Sequence, residues 1–210
     1  MSIKAVVFDY GQVISLPQDP GTIDALAKKA GVARDKFEPL LWSLRLDYDR
    51  GVIDAGEYFG NIASHLGVTL EEKTIGEMIE IDNTSWKNIN AGTVALMEDV
   101  KKAGYILGLL SNMPHEFLAW ARKNVTVFSL PQVSLFSCEV ELIKPEEAIY
   151  RKLLAMIEAE SGEPLTFEQL VFFDDNADNI KGAAAMGIKA FLWKSPEAAR
   201  SELSSLGLRF

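Results

Sequence analysis

The stretch AVVFDYGQ, residues 5–12, decides the fold predicted for this chain. Its first four residues are apolar and rich in Val and Phe, which favours a strand buried on both faces. Gly11 breaks the run, so that Asp9 falls where the strand stops. In a parallel sheet this position lies at the carboxyl edge, where open α/β folds bind ligands. Asp9 is therefore either a site residue or the first residue of an ordinary turn.

The composition is typical of an acidic globular protein. Of 210 residues, 48% are hydrophobic and 24% are charged, and 30 acids against 21 bases leave a formal charge of −9. The length suits one domain, with or without a sizeable insertion. The charge disfavours a nucleic-acid partner, because such binding depends on Lys and Arg neutralising phosphates. An anionic substrate would need a local positive centre.

The cellular context follows from what the chain lacks. Cys138 is the single cysteine, so no internal disulfide can form and a reducing compartment is the simplest context. The N-terminus shows no signal-peptide pattern, and no apolar run approaches the length of a membrane span. We therefore expect a cytoplasmic protein with no membrane partner. The sequence gives no indication of the oligomeric state.

The sequence of residues 16–90 predicts helices and no strands. Thr22 is expected to cap the first helix, and a second is expected over residues 34–48, where apolar residues recur at helical spacing. Asp54 and Thr69 are each followed three residues later by Glu, as in a capping box, which gives two more helices. The sequence therefore predicts four helices in an inserted cap.

From residue 91 onward, predicted strands alternate with helices. The strands are expected at residues 105–110, 133–137, 171–173 and 189–192. This alternation predicts parallel βαβ units with helices on both faces of the sheet. The expected fold class is therefore α/β, a doubly wound parallel sheet, with residues 1–15 and 91–210 forming the core domain and residues 16–90 the helical cap domain.

Polar residues follow the predicted strands at equivalent positions. They are Asp9, Ser111, Asp174 and Asp175, and Lys144 stands a few residues after another strand. Because the carboxyl ends of parallel strands share one edge, all five can meet in one crevice. Taken singly, each has a simpler explanation: a turn, a solvated Lys, or acids favoured by a helix dipole.

Together these residues suit phosphoryl transfer. Three carboxylates repel one another, and a hard divalent cation, Mg²⁺ above all, is the natural counter-charge. Asp9 can act as a nucleophile that forms an aspartyl-phosphate, while Lys144 and the cation neutralise the phosphoryl oxygens. Ser111 and the backbone N–H of Asn112 can donate hydrogen bonds to the same oxygens.

With these residues in place, the chain resembles the haloacid dehalogenase (HAD) superfamily, and within it the small helical-cap phosphatases. The matching segments, in order, are VVFDYGQV, LLSN, Lys144 before Pro145, and VFFDDNADN. The last segment is similar to that of bacterial members that hydrolyse sugar phosphates such as glucose 1-phosphate. The resemblance covers essentially the whole chain, although the cap matches by helical character and position more than by residues.

The resemblance implies roles for particular residues. Asp9 would be both nucleophile and metal ligand. The other metal ligands would be the carbonyl of Gly11 and the carboxylate of Asp175, with Asp174 close behind. Asn179 would lie one helical turn beyond Asp175, where it could orient Lys144 or the groups around the metal.

Gly11 departs from the family pattern. In most phosphatases of the family, a second Asp stands two residues after the nucleophile and protonates the leaving oxygen. Gly11 occupies that position here, and Gln12 cannot titrate. General acid catalysis typically contributes ~10² to 10⁴ in rate, so we expect reduced or restricted activity. A substrate with a good leaving group, such as an anomeric or acyl phosphate, would need the acid least.

Three functions stay open on the sequence. The first is a Mg²⁺-dependent phosphatase acting on a small phosphorylated metabolite, with a sugar phosphate as one possibility. The second is a metal-independent haloacid dehalogenase, and the third is a binding or regulatory domain without catalysis. Substrate choice is expected to depend on cap residues that can stack on a sugar or pair with phosphate, namely Trp42, Arg45, Tyr48 and Arg50.

Overall fold

The computed structural model describes residues 2–209 and contains a five-stranded parallel sheet. The strands are β1 Ala5–Phe8, β2 Ile106–Ser111, β3 Val133–Phe136, β4 Leu170–Asp174 and β5 Lys189–Leu192. Their order is β3-β2-β1-β4-β5, which puts β1 at the centre. Phe8 at the end of β1 pairs with Leu109 on one side and Phe173 on the other. The strand ends therefore meet at one edge, and the expected α/β fold class is confirmed.

Helices account for most of the remaining chain. Those before β2 are α1 Gly21–Lys29, α2 Arg34–Ser43, α3 Arg45–Arg50, α4 Ala55–Leu66, α5 Glu72–Ser85 and α6 Ala91–Lys102. Those after β2 are α7 His115–Asn124, α8 Ser137–Val140, α9 Glu147–Ser161, α10 Ala177–Ala185 and α11 Pro196–Ser205.

The central strand is apolar at every position because both of its faces are covered. Val6 and Phe8 belong to a hydrophobic cluster that includes residues of α6, α7 and α11. Ala5 and Val7 point the other way, into a cluster with residues of α9 and α10. Successive residues of a strand face opposite sides of the sheet, so a strand between two helical layers needs no polar face.

Helices α1 to α5 pack around a separate hydrophobic cluster. Leu26, Phe37 and Tyr58 lie in it and are fully buried. Two short linkers join these helices to the sheet and pair with each other through backbone hydrogen bonds. The amide of Leu16 donates to the carbonyl of Asn88 at 2.7 Å, and the equivalent bond from Asn90 to Ile14 is 2.9 Å.

The described residues 16–90 form five helices and not the four predicted from the sequence. The expected helix over residues 34–48 is broken at Leu44, whose backbone leaves the helical range at φ −97° and ψ 1°. The break directs α3 so that Tyr48 stacks on Tyr58, with ring centroids 4.4 Å apart. Tertiary packing therefore overrides the local helical pattern at this point.

Of the three helix caps expected from the sequence, Asp54 is correct, and Thr22 and Thr69 are wrong. The Asp54 side chain accepts a hydrogen bond from the Glu57 amide, and Ser195 caps α11 in the same way. Thr22 lies inside α1, and Asp19 instead accepts the Gly21 amide at 2.8 Å. Thr69 is also no cap, because α5 begins only at residue 72. A Thr or Asp three residues before Glu is compatible with a cap but does not fix where the helix starts.

No helix within residues 2–209 has both the length and the apolar character that crossing a membrane requires.

The inserted helices contact the sheet domain tightly at Gly51, the residue that ends α3. Its φ is +85°, and a Cβ placed there would lie 2.7 Å from the Cα of Cys138 in α8. Close by, the Arg50 guanidinium donates to the Glu146 carboxylate at 2.9 Å. Only glycine fits this left-handed and crowded position without strain.

We expect Gly51→Ala to destabilise the protein by more than the ~1–3 kcal/mol of backbone strain alone, because its methyl group also collides with the backbone of Cys138. Gly67→Ala is the matched control, since Gly67 has a φ of +67° and open space around its Cβ position. Urea denaturation of both variants measures the difference. Equal losses of stability would contradict a tight contact at Gly51.

Candidate active site

The carboxyl ends of the strands form the floor of a cleft of about 270 Å³. Asp9 follows β1, Ser111 ends β2, and Asp175 follows β4. From the sheet domain the cleft is also lined by Gly11, Gln12, Asn112, Lys144 and Asn179. Asp174 lies just beneath and is fully buried. The structure thus brings together the strand-end residues expected from the sequence.

Lys144 holds two of the carboxylates together. Its Nζ donates to Asp9 Oδ1 at 2.8 Å, to Asp174 Oδ2 at 2.6 Å, and to the carbonyl of Leu110 at 3.2 Å. The side chain is buried, which alone would lower its pKa, but the two carboxylates outweigh this and raise the pKa of Lys144 above its usual value. Lys144 therefore stays positively charged and supplies the local positive centre that an anionic substrate needs.

The backbone of Lys144 is fixed by Asn112. The Lys144 amide donates to Asn112 Oδ1 at 3.0 Å, and Asn112 Nδ2 donates to the Lys144 carbonyl at 3.0 Å. On the other side Pro145 packs against α10, where a Cβ on Gly182 would lie 2.7 Å from the Pro145 carbonyl oxygen. The sequence indicated a role only for the backbone N–H of Asn112, and its side chain in addition positions the lysine.

Both carboxylate oxygens of Asp174 accept hydrogen bonds. Besides Lys144, it accepts the amide of Asn176 at 2.8 Å and Nδ2 of Asn179, which lies 3.1 Å from each carboxylate oxygen. Asn179 was expected to orient Lys144 or the groups around a metal. It contacts Asp174, so any effect on Lys144 passes through that carboxylate. Asp174 is therefore mainly an anchor for the lysine.

The carboxylates of Asp9, Asp174 and Asp175 present oxygens that all lie within 4.8 Å of one another. Burial raises the pKa of Asp9 to about 7 despite the attraction of Lys144, and repulsion from Asp174 adds to this. Burial and the charge of Asp174 also raise the pKa of Asp175. One lysine is thus insufficient to balance three carboxylates. Oxygen donors with excess negative charge are the ligand set that a hard divalent cation requires, so these residues fit such an ion.

Gln12 contributes in a way that the sequence did not reveal. Its backbone is left-handed, with φ 57°, and its Nε2 donates to Asp175 Oδ2 at 2.6 Å. Positive φ is uncommon outside glycine and indicates a constrained position. Gln12 cannot titrate, but its amide positions a carboxylate of the site.

The helical insertion forms the upper wall of the cleft through Trp42, Arg45 and Asp49. Arg45 Nε donates to Asp49 Oδ1 at 2.8 Å, and its Nη1 donates to Asp82 Oδ2 at 2.9 Å. Trp42 is 44% exposed. Trp86, which follows α5, adds a second indole to the cleft. Asp49, Asp82 and Trp86 were not among the residues singled out from the sequence.

The other two cap residues proposed for substrate choice are engaged elsewhere. Tyr48 is buried inside the insertion against Tyr58. Arg50 pairs with Glu146 of the sheet domain, through bonds of 2.9 and 2.5 Å. Tyr48 therefore packs the insertion, and Arg50 fastens it to the sheet domain. Helical periodicity alone could not separate these positions from Arg45, which shares their helix.

The fold and this arrangement of strand-end residues define a hydrolase class. The chain matches the family model of haloacid dehalogenase-like hydrolases over residues 3–187, and it belongs to that family.

Two curated relatives are similar along almost all of this chain. Phosphatase MT3486 of Mycobacterium tuberculosis is 25% identical over 219 residues, which cover 99% of this chain and 96% of the relative. Bifunctional epoxide hydrolase 2 of Rattus norvegicus is 22% identical over 98% of this chain. The match spans only 39% of that longer enzyme.

Solved structures share the fold. A HAD family enzyme from Bacteroides thetaiotaomicron has a TM-score of 0.73 at 22% identity, covering 93% of this chain and 95% of its own. A HAD-like family hydrolase from Porphyromonas gingivalis has a TM-score of 0.75 at 22% identity and covers both chains fully. The likeness extends over the inserted helices as well as the sheet.

We expect Lys144→Met to destabilise the protein by about 3–5 kcal/mol at pH 8, because it leaves Asp9 and Asp174 buried without their counter-charge. The loss should be smaller at pH 5.5 than at pH 8. Lys144 lowers the pKa of Asp9, so without it Asp9 takes up a proton at a higher pH, and the difference from the wild type narrows as the pH falls toward 7. Chemical denaturation at pH 8 and pH 5.5 measures both effects. Lys152→Met, an exposed change in α9, is the control and should leave stability unchanged at both pH values.

Proposed function

We propose that this protein is a Mg²⁺-dependent phosphatase that hydrolyses a small phosphorylated metabolite, with Asp9 as the nucleophile. The observation that carries this proposal is the position of Asp9 at the end of the central strand. There it is held by Lys144 at 2.8 Å and lies within metal-ligand reach of Asp175. The relative from Mycobacterium tuberculosis is named a phosphatase, and the enzyme from Bacteroides thetaiotaomicron has been crystallised with magnesium and inorganic phosphate.

The proposed chemistry begins with the Asp9 carboxylate. Lys144 fixes Oδ1, which leaves the other oxygen of Asp9 to attack phosphorus and form an aspartyl-phosphate. The chain thereby divides one displacement into two easier ones. Hydrolysis of the acyl phosphate then returns Asp9 to its carboxylate form and releases inorganic phosphate.

The phosphoryl group would be held from the strand ends. Ser111 and the backbone N–H of Asn112 line the cleft next to Asp9 and can donate to its oxygens, and Lys144 adds a positive charge. The proposed metal ligands are Asp9, the carbonyl of Gly11, Asp175 and, more remotely, Asp174. When bound, Mg²⁺ supplies further neutralisation of the phosphoryl oxygens.

We propose that residues 16–90 act as a cap that covers the substrate. Trp42 and Trp86 offer flat apolar surfaces, and Arg45 with Asp49 offers polar groups, beside the same cleft. A sugar ring has apolar faces and a rim of hydroxyls, so a sugar phosphate is a candidate substrate. The large negative net charge does not oppose this, because Lys144 and Arg45 place positive charge beside the cleft.

We expect Asp9→Asn to lower the rate of p-nitrophenyl phosphate hydrolysis with Mg²⁺ by at least ~10³-fold, because the amide is not a nucleophile. Asp178→Asn, which changes an exposed carboxylate paired with Lys181, should retain the full rate. A chelator should abolish the wild-type activity, and added Mg²⁺ should restore it.

The same assays separate the alternative functions. Equal rates for wild type and Asp9→Asn would refute the proposal. Halide release from a 2-haloacid without metal would indicate a dehalogenase. Tight binding of Mg²⁺ and inorganic phosphate, without turnover of a broad panel of phosphorylated metabolites, would indicate a regulatory or binding domain.

We expect the Mg²⁺ concentration for half-maximal activity to rise as the pH falls from 8 to 6. Without the cation the pKa of Asp9 is raised to about 7 by burial, so protons compete with Mg²⁺ below that pH. One displaced proton gives an increase approaching tenfold per pH unit below the pKa. Calorimetric Mg²⁺ titrations at pH 6, 7 and 8 check the same trend without turnover. A constant affinity would contradict a role for Asp9 as a ligand.

A further inference from the structure

Gly11 leaves the site without the usual proton donor, and the cleft can be searched for another group that could take this role. Alkyl phosphates have poor leaving groups, so their leaving oxygen needs a proton as the bond to phosphorus breaks. A donor must line the cleft and must titrate. Among residues 2–209 the titratable groups lining the cleft are Asp9, Tyr10, Arg45, Asp49, Lys144 and Asp175.

Most of these groups are committed to other tasks. Asp9 is the proposed nucleophile and Asp175 a proposed metal ligand. Lys144 has acceptors for all three of its protons and a raised pKa. Tyr10 donates its hydroxyl to the Trp86 carbonyl at 2.8 Å, and burial raises its pKa. Arg45 cannot act as an acid near neutral pH.

Asp49 is the remaining group, and the fold ties it to the phosphate end of the cleft. The Ser137 hydroxyl donates to the Asp49 carbonyl and also accepts the amide of Met113 at 2.9 Å. Met113 stands two residues after Ser111, the strand-end residue next to Asp9. One hydroxyl therefore links the backbone of the inserted helix α3 to the strand-end loop at the floor of the cleft.

The carboxyl group of Asp49 is open to the cleft on one side. Its Oδ1 accepts from Arg45 Nε at 2.8 Å, and its Oδ2 makes no hydrogen bond within residues 2–209. The Asp49 side chain is 19% exposed. It can therefore reach a bound molecule without first breaking its contact with Arg45.

The surroundings of Asp49 raise its pKa, so its carboxyl group holds a proton closer to neutral pH than an exposed aspartate does. Burial raises the pKa of Asp49 to about 6, although Arg45 from its own helix and Lys144 from the sheet domain both lower it. Asp82 from α5 raises it further. The buried tyrosines Tyr48 and Tyr58, and the thiol of Cys138, also face its charge.

We propose that Asp49, supplied by the inserted helices, is the general acid that replaces the carboxylate missing at Gly11. This inference rests on the proposed phosphatase function. As Asp9 attacks, a bond forms between its oxygen and phosphorus while the bond from phosphorus to the leaving oxygen breaks. Asp49 passes its proton to that oxygen, and the alcohol leaves. The Asp49 carboxylate then takes a proton from the water that attacks the aspartyl-phosphate, so that ester and water yield alcohol and inorganic phosphate.

The test compares Asp49→Asn with the wild type on two phosphate esters with Mg²⁺. With glycerol 2-phosphate, whose leaving group needs a proton, we expect kcat to fall by ~10² to 10⁴. With p-nitrophenyl phosphate, whose leaving group does not, we expect a rapid burst of about one equivalent of nitrophenolate followed by slow turnover. The burst reports transfer to Asp9, and the slow phase reports the loss of the base in the second step.

Two further variants control for a purely structural effect. Asp47→Asn makes the same change at an exposed position of α3 and should leave both rates unchanged. Gly11→Asp restores a carboxylate at the usual family position. The backbone there, with φ −61°, accepts any residue, and a Cβ would make only ordinary contacts at 3.9 Å. In the Asp49→Asn background it should recover turnover of glycerol 2-phosphate.

The outcomes distinguish the inference from the proposed function. If folded Asp49→Asn turns over glycerol 2-phosphate within threefold of the wild-type rate, the inference is wrong. It is also wrong if the burst slows as much as turnover of glycerol 2-phosphate, because Asp49 would then act by positioning Arg45. A wild type that hydrolyses neither ester would overturn the proposed function and the inference with it. Thermal melting confirms that each variant is folded.

Discussion

The site depends on one ammonium group placed between two buried carboxylates. Lys144 touches Asp9 and Asp174 at 2.8 and 2.6 Å, and all three side chains are more than nine-tenths buried. Other contacts hold the lysine in place. Asn112 hydrogen-bonds to its backbone, and Asn179 hydrogen-bonds to the Asp174 carboxylate beneath it. Buried charges are stable only when they are paired and hydrogen-bonded, so removing one of these three groups destabilises the other two. The position of the Asp9 carboxylate therefore follows from the lysine.

Much of this arrangement follows from the sequence, because parallel strands impose a strong constraint. Once AVVF at residues 5–8 is a strand buried on both faces, the carboxylate after it must lie at the edge where Ser111 and Asp174 also arrive. Helix starts were less predictable. Asp54 caps its helix but Thr69 does not, although both carry Glu three residues later. Packing between elements decides such cases.

The upper wall of the cleft could not be predicted in the same way. Trp42, Arg45 and Asp49 reach it because α2 and α3 change direction at Leu44, and that turn depends on packing against other helices of the insertion. Gln12 was missed for a different reason, since its amide contributes by holding Asp175 and not by titrating. Helical spacing shows which residues share a face but does not show what that face meets.

The paired linkers have a consequence for how such enzymes diversify. The chain leaves the sheet domain after Ile14 and returns at Asn90, and these two residues are joined by a backbone hydrogen bond of 2.9 Å. For the sheet, the whole helical insertion is equivalent to a short closed loop, which is the kind of site where foreign segments are tolerated. Any compact unit with neighbouring ends could be exchanged there. Selection for new substrates can therefore act on these helices while Asp9 and Lys144 stay unchanged.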